Sequence, residues 1–301
     1  MKNPSTEISP ELQEQFLLHH GLDEEFQNVV QACYLPITRW IIAELTGQSP
    51  LVIGINGAQG TGKSTLADFL AASLTEQDRN TAVMSIDDFY LSSQERTELA
   101  QDIHPLLKTR GVPGTHNVAD ALRTLVDLKT LEPEQTLAIP RFDKATDEPQ
   151  AESLWPLVVG PVDVIIVEGW CVASQPQSPA QLLQPVNELE LKDDPEGLWR
   201  SFVNRQLKYR YSDLFAHLDR LVVLSAPNFQ CVTQWRQKQE QKLRQRSPDD
   251  SPGLMDSAQI RRFVQHYQRL TQHNLEVLPN IADVHVMFDQ HHQCSHISFR
   301  E

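Results

Sequence analysis

The chain has 301 residues, 26 Lys and Arg against 40 Asp and Glu, a formal net charge of −14, and 40% hydrophobic residues. That length and apolar content support one or two packed domains and exclude a mainly disordered chain. The acidic balance argues against nucleic acid or an anionic membrane as partner, and no apolar run approaches the ~18 residues that span a bilayer. The N-terminal MKNPSTEISPELQEQ is polar and acidic, unlike a secretory signal. Cys33, Cys171, Cys231 and Cys294 stand singly, with no CxxC, and read as small apolar residues of a reduced, cytoplasmic protein.

Residues 9–20 read as a helix, with Ser9 as its cap, Pro10 in the first turn and Gly21 as its stop. A second helical stretch runs from Asp23 to about Leu45. Its apolar stripe is Phe26, Val29, Val30, Cys33, Ile37, Trp40 and Ile41, and Pro36 is expected to kink or split it. Short Val- and Ile-rich runs follow at Leu51–Ile55, Ala82–Ile86, Val162–Val167, Leu221–Leu224 and Val284–Phe288. They lack polar alternation, as buried parallel strands do. Helical patterns separate them, at Ser64–Leu74, Val118–Leu128, Leu198–Leu207, Thr233–Leu243 and Ile260–Leu275. Strands alternating with helices predict an α/β fold: a five-stranded, mainly parallel sheet flanked by helices. Residues 1–49 read as an N-terminal helical extension and 50–301 as the main domain. Leu131–Pro161 and Ala173–Pro195 read as long irregular stretches.

The strongest local signal is Gly57-Ala58-Gln59-Gly60-Thr61-Gly62-Lys63-Ser64, which fits G-x-x-x-x-G-K-[ST] in full between a predicted strand and a predicted helix. The chain has only 12 glycines, yet Gly54, Gly57, Gly60 and Gly62 fall within nine residues. Without Cβ atoms, successive N–H groups can turn inward around an anion, and a following helix adds its positive end. Residues Gly57–Thr65 are therefore the candidate nucleotide site, with Lys63 on the β- and γ-phosphates and Ser64 on Mg²⁺.

Ligands in open parallel sheets lie beyond the carboxyl ends of the strands. The second predicted strand ends in Asp87-Asp88-Phe89-Tyr90 and the third in Glu168-Gly169-Trp170. Asp87 is the candidate base for an acceptor hydroxyl, and Glu168 the candidate metal-binding acid. Asp88 reads equally as a cap or turn residue and as a direct participant in the site. Basic residues stand out against the acidic background at Lys108–Asn117 (KTRGVPGTHN) and at Trp235–Arg246, which holds five positive charges and one negative. The second reads as a lid helix at about 230–253, or as a solvated helix with Arg236 and Glu240 paired. Arg141 and Lys144 can meet an anionic acceptor or form loop salt bridges. The tail His291-His292-Gln-Cys294-Ser-His296 has no tetrahedral zinc spacing and reads as surface or last-strand sequence.

Together these segments resemble the P-loop kinases of the phosphoribulokinase, uridine kinase and pantothenate kinase group, and within it the plant-type D-glycerate 3-kinases and their bacterial relatives. The resemblance rests on GINGAQGTGKSTLA (54–67), SIDDFYL (85–91), RGVPGTHN (110–117), IPRFDKA (139–145), VDVIIVEGWC (162–171), PVNELE (185–190), QWRQKQE (234–240) and RRFVQHYQRLTQH (261–273). It implies ATP and Mg²⁺ as cofactors and a small anionic substrate, with D-glycerate phosphorylated at its 3-hydroxyl. It also implies Asp87 as base, Glu168 as the acid of the third strand, Arg110, His116 and Lys144 around the acceptor, and Arg236 facing the phosphates. The sequence departs from the family pattern at Asn117 and at Asp147-Glu148-Pro149, where charge near the acceptor is removed or reversed. A nucleoside, pantothenate or another sugar acid remains the alternative acceptor. A P-loop switch is less favoured, because no N-K-x-D motif occurs and the D-x-x-G at Asp194–Gly197 follows an irregular stretch. Oligomeric state is not encoded in any of these signals.

Overall fold

The computed structural model describes residues 7–45, 47, 50–246 and 257–300. Helix α1 (Pro10–His20) opens on Ser9, whose hydroxyl accepts from the Leu12 N–H, and closes on Gly21 at φ 60°. A continuous helical rod follows: an α turn at Phe26–Val29, a π turn at Val30–Tyr34, then α2 (Leu35–Glu44). Pro36 neither breaks nor splits it. The Leu35 N–H reaches back to the Val30 carbonyl, and this wider turn makes room where a proline ring crowds the preceding turn.

Six strands form one sheet: β1 (Leu51–Gly57), β2 (Thr81–Ser85), β3 (Val164–Gly169), β4 (Arg220–Ser225), β5 (Val284–Phe288) and β6 (Cys294–Phe299), in the order β6-β5-β4-β1-β3-β2. The five expected strands are all parallel neighbours. The sixth, β6, adds antiparallel to β5 at the edge. It is mostly exposed, so it lacks the continuous apolar run that marks the others. The remaining helices are α3 (Lys63–Glu76), α4 (Ser93–Asp102), α5 (Val118–Lys129), α6 (Glu188–Asp193), α7 (Leu198–Gln206), α8 (Phe229–Arg246) and α9 (Ser257–Val277).

Side chains alternate across the sheet with period two. Val52, Met84, Ile165, Val167 and Val223 face a core completed by Ala121, Leu125 and Leu128 of α5 and by Tyr267 and Leu270 of α9. Ile53, Ile55, Val164, Ile166 and Val222 face the opposite core, closed by Leu66, Phe69 and Leu70 of α3 together with Phe16, Val29, Cys33, Ile37 and Ile41 of the N-terminal helices. With both faces covered, the strands need no polar alternation.

The stretches expected to be irregular carry structure of their own. Thr136–Ala138 pairs antiparallel with Leu157–Val159, and Phe142–Asp143 with Glu148–Pro149. In the second stretch, α6 is pinned by a buried ion pair, Glu190 with Arg269 at 2.6 Å. Among the described residues no helix is long and apolar enough to cross a membrane.

Candidate active site

The loop between β1 and α3 turns through two left-handed glycines, Gly60 at φ 80° and Gly62 at φ 86°. A Cβ at Gly60 would also stand 3.0 Å from the Cβ of Trp235, so both the torsion and the close approach require glycine. Thr61 folds back, its hydroxyl donating to the Ala58 carbonyl at 2.8 Å. The first intrahelical bond of α3 runs from the Leu66 N–H to the Gly62 carbonyl. The N–H groups of Lys63, Ser64 and Thr65 are therefore left at the positive helix end, available to an anion.

Strand register fixes the acid opposite this loop. Glu168 of β3 stands between Ile55 of β1 and Ser85 of β2, one step before the strand end. The Ser64 hydroxyl donates to Glu168 Oε1 at 2.9 Å, and Lys63 Nζ lies 4.0 Å from Oε2. Glu168 is only 5% exposed, and its Oε2 is buried without a hydrogen-bond partner. A hydroxyl and a carboxylate side by side, one oxygen unsatisfied, are hard oxygen donors of the kind Mg²⁺ takes when substrate phosphates complete its shell.

Beyond β2 the chain makes a 3-10 turn, Ile86–Phe89, that presents both aspartates. Lys144 Nζ meets Asp87 Oδ2 at 2.6 Å, and the Tyr90 hydroxyl donates to Oδ1 at 2.7 Å. Burial pushes the Asp87 carboxyl up, but the charges of Lys144 and Lys63 and these two hydrogen bonds outweigh it. The carboxyl is held well below the usual range. The same partnership raises Lys144, against the opposing effect of burial. Asp88 behaves oppositely. Arg141 Nη1 lies 3.1 Å from its Oδ2 and the Phe142 N–H 3.3 Å from its Oδ1, yet burial prevails and lifts its pKa to about 6. Asp88 is a turn residue, as one of its expected readings has it, and it anchors the hairpin that carries Lys144.

Arg110 is ion-paired with Asp147 and donates to the Lys144 carbonyl at 3.3 Å. The buried Arg96 meets the same Asp147 carboxylate at 2.7 Å. Asp147, the residue before the departure at Glu148, therefore supplies the counter-ion that orients Arg110. The departure at 117 is a cap: the Asn117 side chain accepts from the Asp120 N–H at the start of α5. Trp170 Nε1 donates to the Gly111 carbonyl at 2.8 Å and the Tyr267 hydroxyl to the Arg110 carbonyl at 3.0 Å. Together they hold the loop over the sheet end. Gly111, at φ 132°, has no room for a Cβ against Tyr267. His116 is buried, stacks on Tyr90 at 4.5 Å and meets the Tyr211 hydroxyl at 2.6 Å; burial lowers its pKa to about 4.

Arg236 on α8 lies over the Phe263 ring at 5.7 Å, and its charge reaches the Tyr267 hydroxyl. The lid segment expected at about 230–253 falls partly outside the described residues, and so does any pairing of Arg236 with Glu240. Trp235 is buried against the phosphate loop and meets the His292 ring, tilted, at 3.8 Å between centroids, while His292 Nε2 meets the Gly60 carbonyl at 2.8 Å. His291 is exposed, and Cys294 and His296 lie in β6, as the surface or last-strand reading of the tail expects; His292 in addition braces the phosphate loop. Among the described residues no group of three or more His, Cys, Asp or Glu side chains could hold a metal.

The fold thus gathers the phosphate loop, Glu168, Asp87, Lys144, Arg110, Arg141 and His116 at one end of the sheet. The D-x-x-G acid lies elsewhere in its bonding: Asp194 is buried, caps α7 through the Trp199 and Arg200 N–H groups, and pairs with Arg200 at 3.0 Å. Tyr90 and Tyr267 fall within SIDDFYL and RRFVQHYQRLTQH, but the sequence assigns neither them nor Tyr211 and His292 a role at the site.

A model of the KAP family P-loop domain matches residues 38–122. The uncharacterized kinase mug58 of Schizosaccharomyces pombe is 33% identical over 229 residues, covering 72% of this chain and 78% of that protein. The chloroplastic D-glycerate 3-kinase of Arabidopsis thaliana is 32% identical over 225 residues, 72% of this chain but 46% of the plant protein, so the chain spans about half the length of that relative. The structure of D-glycerate 3-kinase from Cryptococcus neoformans has a TM-score of 0.69 at 22% identity, over 97% of this chain and 100% of that one. It shares the fold.

Proposed function

The chain belongs to the P-loop kinase family of its fission-yeast and plant relatives, the ATP-dependent small-molecule kinases, and from that premise we propose that it transfers the γ-phosphoryl group of ATP to the 3-hydroxyl of D-glycerate. One observation carries the reading. A carboxylate held ionised, Asp87, is paired with a lysine at 2.6 Å at the same sheet end as the phosphate loop. A small hydroxy acid needs just these two groups, an acceptor for its hydroxyl proton and a cation for its carboxylate.

In the proposed reaction residues 57–65 hold the triphosphate, with Lys63 against the β- and γ-phosphates. Ser64 and Glu168 would hold Mg²⁺, whose charge screens the phosphates and stabilises the leaving group. The acceptor carboxylate displaces Asp87 from Lys144, while Arg110 and Arg141 add positive charge to the same pocket and His116 lines it. The acceptor hydroxyl hydrogen-bonds to the released Asp87. As its oxygen bonds to the γ-phosphorus, the bond to the β-phosphate oxygen breaks, ADP departs, and the hydroxyl proton passes to Asp87. Arg236 spreads the charge that develops on the transferred group. All four cysteines are free thiols, which fits a reducing compartment such as the cytoplasm.

The test is a coupled ADP-release assay of the purified protein with ATP, Mg²⁺ and D-glycerate, followed by identification of the product. Release that depends on D-glycerate, with 3-phosphoglycerate formed, is the expected result. Release with a nucleoside or pantothenate and none with D-glycerate would overturn the acceptor assignment.

A further inference from the structure

Tyr211 lies at the junction of the π turn Leu207–Tyr211 with the helical turn that follows, far in sequence from every motif of the site. It is fully buried, and its hydroxyl has two polar neighbours. The Gly114 N–H donates to it at 2.9 Å, and His116 Nδ1 lies 2.6 Å away. A phenol has two lone pairs and one proton. The Gly114 N–H takes one of them, and the acceptor that the described residues offer the phenol's own proton is His116 Nδ1, so the proton goes there.

The consequence falls on the other ring nitrogen. A neutral imidazole that accepts at Nδ1 carries its proton on Nε2. His116 Nε2 is buried and has no hydrogen-bond partner among the described residues. The ring is 5% exposed, stacks on Tyr90, and has Asp87 and Lys144 as its neighbouring charges. A buried donor left unpaired beside the base costs stability unless a ligand supplies the acceptor.

We propose that Tyr211 is a positioning residue that fixes His116 as a neutral Nε2–H donor, and that this N–H grips an uncharged oxygen of the acceptor next to the hydroxyl facing Asp87. The inference deepens the kinase reading above and rests on it for the identity of the ligand. It distinguishes two kinds of recognition in one pocket. Lys144 and Arg110 select for negative charge, whereas His116, held neutral, selects for a hydroxyl or carbonyl oxygen at a set place. An acid of the same charge lacking that oxygen would leave the N–H unpaired and be disfavoured.

The tautomer is read first, in the free full-length protein, by long-range proton–nitrogen correlation of ¹⁵N-labelled histidine. The expected spectrum has His116 protonated at Nε2 alone. In Tyr211→Phe, which keeps the ring, it becomes a mixture of both tautomers. Kinetics come second: Tyr211→Phe raises KM for D-glycerate about three- to tenfold, with KM for ATP changed less than about twofold. His116→Gln, whose side-chain N–H reaches a similar point, recovers part of what His116→Ala loses. A wild-type spectrum with the proton on Nδ1 would overturn the proposal. So would a Tyr211→Phe enzyme whose tautomer and acceptor KM match wild type. A wild-type enzyme that does not turn over D-glycerate would refute the parent reading instead, while the spectrum of the free protein still decides the role of Tyr211.

Discussion

Asp88→Asn should make the protein more stable and the site worse. The Asp88 side chain is 17% exposed, and burial raises its pKa from the ordinary 3.8 to about 6 despite the contacts from Arg141 and the Phe142 N–H. Between those values the native state binds more protons than the unfolded chain, so this group lowers stability as pH rises. Below 3.8 it is protonated in both states and costs nothing; at pH 7 the ionised form costs about 3 kcal/mol. Asparagine keeps the shape and cannot titrate. The unfolding free energy of the variant minus that of wild type should therefore climb by about 2.4 kcal/mol between pH 4 and pH 7, the rest of the span lying below pH 4. The difference has to be measured, because other groups push the other way. His116 and His266 are lowered by burial from 6.5 to about 4, so over that interval each raises stability with pH, equally in both proteins. Denaturant unfolding followed by circular dichroism across this range supplies the free energies. A difference that stays flat, or falls, would refute the reasoning. Activity should move oppositely: without the carboxylate that holds Arg141 and the Phe142 N–H, Lys144 loses its fixed approach and KM for the acceptor rises.

Asp87→Asn should cut turnover by ~10²–10⁴ while leaving ATP affinity nearly unchanged, as steady-state kinetics and nucleotide titration would show; near-normal turnover removes Asp87 from the role of base. Glu168→Gln, which keeps the size of a buried side chain whose Oε2 has no protein partner, should raise the Mg²⁺ concentration for half-maximal activity about tenfold or more, checked by metal titration at fixed ATP. Asp147→Ala removes the shared counter-ion of Arg110 and the buried Arg96. It should lower stability by about 1–3 kcal/mol in denaturant titration and raise KM for the acceptor, because Arg110 then loses its orientation.

The sheet was legible because burial on both faces leaves an unambiguous mark. Val164, Ile165, Ile166 and Val167 are apolar in succession because successive residues enter opposite cores. Strand β6 leaves no such mark, since an edge strand buries too little to constrain its sequence. Helix α4 was missed although its signal is present: Ser92 and Glu95 form a reciprocal capping box. The phosphate loop, Asp87 and Glu168 could be read because each sits at a fixed offset from a strand end. The partners that decide their chemistry could not. The resemblance placed Lys144 at the acceptor, but nothing in the sequence paired it or Arg141, three residues away, with a particular aspartate; the structure gives Lys144 to Asp87 and Arg141 to Asp88. His292 reaches the phosphate loop across more than two hundred residues, through a hairpin end that no local pattern reveals.

A carboxyl held far below its ordinary pKa is a poor proton acceptor taken alone, and the reason Asp87 is so low resolves the difficulty. The depression comes chiefly from Lys144, against the upward push of burial, and Lys144 is the one exposed member of the pair. In the proposed reaction this exposed ammonium is the group that an incoming carboxylate would draw away. Burial would then act on Asp87 unopposed by its strongest partner, and the pKa would rise while the acceptor hydroxyl lay against the carboxylate. The same cation would keep Asp87 ionised in the empty site and release it to take a proton when the substrate arrives, so that the proposal couples binding to base strength through one side chain. Tyr90, which holds the other oxygen, keeps the carboxylate in place through the exchange.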